Sequence, residues 1–325
     1  MKLIIQIPCY NEEKNLLATL KDLPKEIPGV DKIEILIIDD GSTDNTVKVA
    51  REYGVHHIVQ LTKNKGLAAA FMAGLEASLS AGADIIVNTD GDNQYKGKYI
   101  AELVKPILEG KAEIVIGKRP ISSIEHFSPL KKKLQRFGSW IVQKISKTDI
   151  PDAPSGFRAF SRDAAMRINV LNEYTYTLET IIQAGRSNMA ITHIPIEVNE
   201  NVRQSRLMKS IWHYIFKSTS GILRTYLLYK PLKIFTTIGL ILLGIGFLFG
   251  LRFLYFLIIV GNGRGHIQSL ILTAILLIIG FNVLILGLVT DLIASNRKFL
   301  ENIIYKLRKI EYSKKENNKK DYENK

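Results

Sequence analysis

The chain of 325 residues has a single cysteine, Cys9. One thiol excludes an intramolecular disulfide framework and removes any need for an oxidising compartment. No secretory leader is expected, because Lys2 precedes only five apolar-leaning residues before Pro8 and a polar turn. The catalytic part is therefore expected to stay in the cytoplasm. Long hydrophobic runs are missing from the first half and arrive only from Phe235 onward. Acidic residues are the scarcer charge, 31 against 44 Lys and Arg, which leaves a formal net charge of +13. That excess permits nucleic-acid binding. However, the basic residues gather between Lys118 and Lys147, around the apolar runs and in the C-terminal tail. A membrane surface accounts for that distribution better than a nucleic-acid groove, so no nucleic-acid partner is expected.

What is present first is an alternation of strands and helices. Leu3–Pro8 reads as a buried strand broken by Pro8, and Asn11-Glu12-Glu13 opens a helix to Leu23, its acidic residues where the helix dipole favours them. Lys32–Ile38 is a second strand ending in Asp39-Asp40-Gly41-Ser42, and the polar turn Ser42–Asn45 caps a helix through Tyr53. Val55–Leu61, Ile85–Val87 and Glu113–Ile116 read as further strands, separated by helices over Gly66–Leu79 and Lys98–Leu108. Such alternation over short connections predicts an α/β fold with a doubly wound, mostly parallel sheet. Ligands of these sheets bind beyond the carboxyl ends of the strands. Three polar clusters fall there: Tyr10-Asn11-Glu12, Asp39-Asp40 and Asp90-Gly91-Asp92.

The third cluster, within Val87-Asn88-Thr89-Asp90-Gly91-Asp92-Asn93-Gln94, organises the rest. A D-x-D triplet alone reads first as a surface Asp-Gly turn. At the end of a buried strand, with flexible Gly91 between them, both carboxylates can approach one hard cation such as Mg2+. Such an ion takes carboxylate oxygens and keeps sites open for phosphate.

After Gly117-Lys118-Arg119 the pattern loosens. A basic amphipathic segment, Pro129–Ile145, leads into the turn-rich loop Asp152-Ala153-Pro154-Ser155-Gly156-Phe157-Arg158. A helix near Leu178–Ala184 and a strand over Ile191–Val198 follow. In Ser205–Lys230 the residues Arg206, Lys209, His213, Lys217 and Arg224 share one helical face, and Leu207, Ile211, Ile215, Ile222 and Tyr226 the other. A basic face, flanking Trp212 and Phe216, and an adjoining apolar run predict a helix lying in the membrane interface. Phe235–Val260 and Ile267–Ala294 each exceed the roughly 20 apolar residues that a span needs. The short loop Gly261–His266 makes them a hairpin. Lys230 and Lys233 before it, and Arg297, Lys298, Lys306, Arg308 and Lys309 after it, put both flanks in the cytoplasm by the positive-inside rule. Two spans cannot form a transport path alone and read as an anchor. The tail beyond Tyr312, nearly all Lys, Glu and Asn, is expected to be disordered. The division expected is 1–204 catalytic, 205–230 interfacial, 231–296 membrane hairpin and 297–325 basic tail.

Taken in order, Ile7-Pro8-Cys9-Tyr10-Asn11-Glu12, Ile38–Asp44, Asn64-Lys65-Gly66 and Asp90-Gly91-Asp92-Asn93-Gln94 resemble family 2 glycosyltransferases of the GT-A fold. Gly117-Lys118-Arg119, Ser155-Gly156-Phe157-Arg158 and the two C-terminal spans narrow the resemblance to polyprenyl-phosphate glycosyltransferases. That resemblance implies a nucleotide-sugar site from Pro8, Tyr10, Asn11, Glu12, Asp39, Asp40, Lys65, Asp90, Gly91 and Gln94. It implies a Mg2+ or Mn2+ ion held by Asp90, Asp92 and Gln94. Arg119, Arg158, Arg203 and Arg206 are implied around the phosphates of the lipid or the diphosphate, since a planar guanidinium suits phosphate. Asp152 sits where the family places an acidic residue near the acceptor. It is the candidate base, or else it orients Arg158 or the acceptor. The family's arginine followed by a Ser-Lys pair is replaced here by Arg203-Gln204-Ser205-Arg206.

The reaction so implied moves a hexose or N-acetylhexosamine from a nucleotide sugar to dolichyl or undecaprenyl phosphate, with inversion. UDP-glucose or UDP-N-acetylglucosamine is favoured over GDP-mannose, and self-association is left open. Processive polysaccharide synthases normally carry more spans and a Gln-x-x-Arg-Trp motif, in which neither Trp140 nor Trp212 sits. A sugar nucleotidyltransferase would need a Gly-rich phosphate loop that the first strand lacks. A membrane-anchored nucleotide-binding adaptor with a dead site is the rival of another class, and intact Asp90, Asp92 and Gln94 speak against it.

Overall fold

A computed structural model of the chain describes residues 1–120, 129–170, 176–199, 231–261 and 266–323. The expected interfacial helix over 205–230 lies outside the described residues, as do Arg203 and Arg206. Seven strands form one sheet: β1 (Lys2–Cys9), β2 (Lys32–Asp39), β3 (His57–Gln60), β4 (Ile85–Asn88), β5 (Ile114–Lys118), β6 (Arg158–Ser161) and β7 (Ile191–Pro195). Their order is β3-β2-β1-β4-β6-β5-β7. The first four pair in parallel, as the alternation predicts. β6 breaks the pattern by running antiparallel to both β4 and β5, while β5 and β7 pair in parallel. The sequence reading missed β6 because four residues buried on both faces show no alternation.

Pro8 does not end β1, which runs on to Cys9 with Pro8 opposite Ile38 and Cys9 opposite Asp39. The reason lies in the ladder. The Gln6 carbonyl accepts from Thr89 N–H on the β4 side, so Pro8, two residues on, points the same way. Pairing with β4 has ended at Gln6 opposite Asn88, so the missing Pro8 N–H breaks no ladder bond.

Among the described residues, seven helices accompany the sheet: α1 (Leu16–Asp22), α2 (Thr46–Tyr53), α3 (Leu67–Ser80), α4 (Tyr99–Leu108), α5 (Pro129–Ser146), α6 (Arg162–Arg167) and α7 (Thr177–Arg186). α1 starts later than its acidic residues suggest. Asn11 is left-handed, with φ 54°, and the Asn11, Glu12 and Glu13 amides donate to side chains of the turn before α2 instead of opening a helix. On one face of the sheet, Leu16, Leu20, Ile100 and Leu103 pack on Leu3, Ile5, Ile7 and Val87. On the other, Phe71 of α3 meets Phe160 of β6, with ring centroids 5.8 Å apart.

The chain divides into two compact units, Met1–Ile222 with Ile303–Lys325, and Leu223–Asn302. The second unit holds α8 (Pro231–Ile258) and most of α9 (Ile267–Glu323). Both helices are long and apolar enough to cross a membrane, and only 11% of each apolar stretch is buried. Their backbones approach at Gly239 and Gly280, where a Cβ on either would stand 3.0 to 3.1 Å from the other's carbonyl oxygen.

The far end of α9 belongs to the first unit. The helix continues to Glu323. Tyr305 donates to Asp163 at 2.6 Å, and Arg308 donates to the Met166 and Ile168 carbonyls at the end of α6. Tyr312 is buried. A docked turn removes the nucleation cost, so polar residues such as Glu311 and Lys315, paired at 2.7 Å, extend the helix.

Candidate active site

The ends of β1 and β2 are bound to each other by side chains that grip main-chain amides. Asn11 N–H donates to Ser42 Oγ at 2.9 Å, and Thr43 N–H donates back to Asn11 Oδ1 at 2.8 Å. Glu12 N–H donates to Thr46 Oγ1 at 2.8 Å. Asp39 Oδ1 accepts from Ser42 N–H at 3.1 Å. Asp40 carries the turn beyond β3, accepting from Lys65 N–H at 2.7 Å and Gly66 N–H at 2.9 Å. Burial raises the Asp40 pKa, and those two amides pull it back. The Tyr10 side chain remains 39% exposed. Tyr10, Asn11, Glu12, Asp39, Asp40 and Lys65 thus share one edge of the sheet, and the acidic groups among them are engaged in building it.

Asp90 and Asp92 follow β4 directly. Both are partly enclosed, and their environment disfavours two charges. Desolvation first, then the neighbouring Asp92, lift the Asp90 carboxyl to about 7; desolvation also raises Asp92. Asp92 Oδ1 accepts from Gln94 N–H at 3.1 Å, so Gln94 reaches the pair through its backbone. α1 fixes this loop. Thr19 Oγ1 donates to the Gly91 carbonyl at 3.1 Å, and Asp22 accepts from Gly97 N–H at 2.5 Å. Gly91 is required by close approach, since a Cβ there would stand 2.9 Å from Cys9 Sγ. Asn199 closes the other side, donating to the Gln94 and Asn93 carbonyls at 2.9 and 2.8 Å.

Two desolvated carboxylates with raised pKa values form a pair that a divalent cation would relieve. Among the described residues no group of three or more His, Cys, Asp or Glu could hold a metal. A hard ion such as Mg2+ held by these two carboxylates would complete its shell with water and phosphate oxygens.

On the far side of the loop stands a buried ion pair. Arg119 grips Asp152 in two-pronged fashion, Nε to Oδ2 at 2.8 Å and Nη2 to Oδ1 at 3.0 Å, and its own N–H adds a third bond at 3.1 Å. Asp152 is 1% exposed, and both its carboxylate oxygens are engaged by Arg119. Arg158 is fully buried, donating to the Ser155 and Ala153 carbonyls at 2.8 Å each and to Thr180 Oγ1, with Tyr176 under its guanidinium. Burial pushes its pKa down to about 10, so it stays charged at neutral pH. Arg158 clamps the 153–155 turn from inside.

Comparison with known proteins fits this geometry. Residues 4–168 match the glycosyl transferase family 2 model. The chain belongs to that family. It is 32% identical over 216 residues to the UDP-N-acetylglucosamine–dolichyl-phosphate N-acetylglucosaminyltransferase of Methanococcus voltae, covering 59% of this chain and 83% of that protein. It is 26% identical to the undecaprenyl-phosphate mannosyltransferase of Micrococcus luteus, covering 65% and 89%. Among solved structures, glucosyl-3-phosphoglycerate synthase from Mycobacterium tuberculosis, in complex with Mn2+, UDP and phosphoglyceric acid, superposes with a TM-score of 0.54. Its identity is 17%, over 68% of this chain and 78% of that one, which shows the GT-A fold alone.

Within this family 2 fold, the sequence reading missed the residues that hold the site from behind. Thr19 and Asp22 sit on a helix that reads as ordinary packing. Asn88 does carry a signal, as a polar residue closing an otherwise apolar strand. Tyr95 and Tyr176 carry none, because a buried tyrosine is indistinguishable in sequence from a core aromatic.

Proposed function

We propose that this family 2 glycosyltransferase transfers a sugar from a nucleotide sugar to a polyprenyl phosphate at a membrane surface. The observation that carries the reading is the pairing of two sites on one loop system. The desolvated Asp90–Asp92 pair ends β4, and the Asp152-oriented guanidinium of Arg119 ends β5. Carboxylates on one side suit a cation-borne diphosphate, and a fixed guanidinium on the other suits an acceptor phosphate. The relatives that act on dolichyl and undecaprenyl phosphate, and the two apolar helices, support a lipid acceptor.

Tyr10 stacks on the nucleotide base, and the Asp39–Asp40 edge with Lys65 receives ribose and phosphate. Asp90 and Asp92 would hold Mg2+ or Mn2+, and a bound ion would supply Lewis-acid stabilisation to the diphosphate leaving group. An oxygen of the lipid phosphate, oriented by Arg119, attacks the anomeric carbon as the bond to the diphosphate breaks on the opposite face. The configuration inverts. A phosphate acceptor is already ionised, so the step needs no protein base, in keeping with the engaged Asp152. We favour UDP-N-acetylglucosamine or UDP-glucose as donor, on the 32% identity to the Methanococcus voltae enzyme against 26% for the mannosyltransferase. Lys233, Arg297 and Lys298 beside the apolar helices favour a cytoplasmic catalytic unit.

The test is label transfer by the full chain in detergent, with Mn2+, from UDP-N-acetylglucosamine, UDP-glucose and GDP-mannose in parallel. The acceptors are undecaprenyl phosphate, dolichyl phosphate and 3-phosphoglycerate. Label in an organic-extractable, mild-acid-labile product is expected. Transfer only to 3-phosphoglycerate, or only hydrolysis of the donor, would overturn the reading.

A further inference from the structure

The peptide of Gly156 is gripped from both sides in a way that neither metal nor phosphate binding explains. Its N–H donates to Tyr95 Oη at 3.1 Å. Its carbonyl accepts from Asn88 Nδ2 at 2.9 Å and from Tyr176 Oη at 3.2 Å. Asn88 Nδ2 also donates to Tyr176 Oη at 2.8 Å, and Gln6 Nε2 donates to Asn88 Oδ1 at 2.9 Å. Asn88 and Tyr176 are fully buried, so these bonds act in a low dielectric and favour one arrangement. The ring of Tyr176 cannot swing away. It stacks on Phe71 with centroids 3.8 Å apart and an interplanar angle of 3°, with Arg158 on it at 5.7 Å.

The gripped peptide faces both halves of the site. A Cβ at Gly156 would stand 3.1 and 3.2 Å from the two oxygens of Asp90, so this peptide is the wall against which Asp90 rests. Through the same turn, Ser155 N–H donates to the Asp152 carbonyl at 3.2 Å, and Asp152 holds Arg119. Asn88 lies two residues before Asp90, opposite Gln6 on β1 and Arg158 on β6.

We propose that Asn88 and Tyr176 are positioning residues that form a polar strut between the end of β4 and the Ser155–Gly156 turn, fixing the separation of Asp90 from the Arg119–Asp152 pair. The inference deepens the proposed transfer reaction and rests on it. Loosening the strut leaves the donor and acceptor pockets individually intact but misaligns them. An in-line displacement is sensitive to that, with an error of about 1 Å costing up to about 10²-fold. The defect therefore falls on kcat.

The test is Tyr176→Phe in the full chain, which removes the hydroxyl and keeps the stacked ring. Expected are a kcat about tenfold lower, KM values for donor and acceptor within about twofold, and a midpoint of unfolding within about 4 °C of wild type. Amide hydrogen exchange of residues 153–157 should accelerate about tenfold while the strands keep wild-type protection. The exchange readout does not depend on turnover, so unchanged exchange at 153–157 overturns the strut even if the donor and acceptor are misassigned. Accelerated exchange with unchanged kcat overturns its role in alignment. A wild-type chain that transfers no sugar from any donor sinks the transfer reading instead, and the role in alignment with it, while exchange still decides the strut. Should Tyr176→Phe fold poorly, Gly156→Ala presses on the same contact from the other side. It should lower kcat by at least about tenfold, and full activity there overturns the inference.

Discussion

The two sides of the site are built in opposite ways. At the ends of β1 and β2, carboxylates and hydroxyls bind main-chain amides, and the side chains of Tyr10 and Lys65 stand exposed at the surface. Around β5 and β6 the charges themselves are inside: Arg119, Asp152 and Arg158 are all nearly or fully buried and bonded to one another's loops. The first side is a set of shaped turns that accept a ligand onto a partly open edge. The second is a preorganised charge whose orientation is fixed before any ligand arrives. An open edge tolerates substitution in its exposed parts, whereas a buried ion pair fails as a unit, because removing one partner strands the other.

Asp92 joins the two sides, so its loss is the largest expected effect. Asp92→Ala should lower label transfer by at least about 10²–10³-fold with little change in the unfolding midpoint, since the relieved repulsion with Asp90 offsets the one bond lost from Gln94 N–H. On the buried side, Asp152→Asn should cost about 3–5 kcal/mol of stability, seen as a lower denaturant midpoint, and activity should fall with it. A Asp152→Asn protein of normal stability and no activity would instead make Asp152 a base. On the open side, Asp40→Ala releases the Lys65-Gly66 turn. Losing two bonds to a charged acceptor costs about 1.5–3 kcal/mol each at most, so the donor KM should rise more than tenfold while kcat changes less.

The effect of pH sharpens the same contrast. The Asp90 carboxyl titrates at about 7 without a metal, and it must be deprotonated to bind one. Affinity for Mn2+, measured by titration calorimetry, should be level above pH 7 and fall toward tenfold per unit below it. The stability sign follows from the raised pKa. In the metal-free protein this group's contribution is full below the ordinary carboxylate range of about 4 and is lost as pH rises through 7. Tyr10→Ala is the smallest change, with an unaltered midpoint of unfolding and a donor KM up by roughly three- to tenfold, as expected for one lost stacking contact of about 1 kcal/mol.

Much of this was legible in the sequence. Strands β1, β2, β4 and β5 announce themselves as apolar runs, and their carboxyl ends point to the acidic clusters before any coordinates are seen. β6 did not, because a buried strand beginning with an arginine looks like the tail of a loop. In sequence an arginine beside a Ser-Gly turn looks available, and only the structure shows Arg158 buried with donors bonded to carbonyls. Composition alone does not show that Tyr305, Arg308 and Tyr312 dock on α6.

The central claim is that donor and acceptor phosphates are held by different halves of the site, and steady-state kinetics of Arg119→Lys tests it most directly. The substitution keeps the charge but gives up the two-pronged grip on Asp152. With both substrates varied, the KM for polyprenyl phosphate should rise at least about tenfold while the KM for the nucleotide sugar stays within about twofold. A raised nucleotide-sugar KM with an unchanged lipid KM would contradict the account and move Arg119 to the donor side.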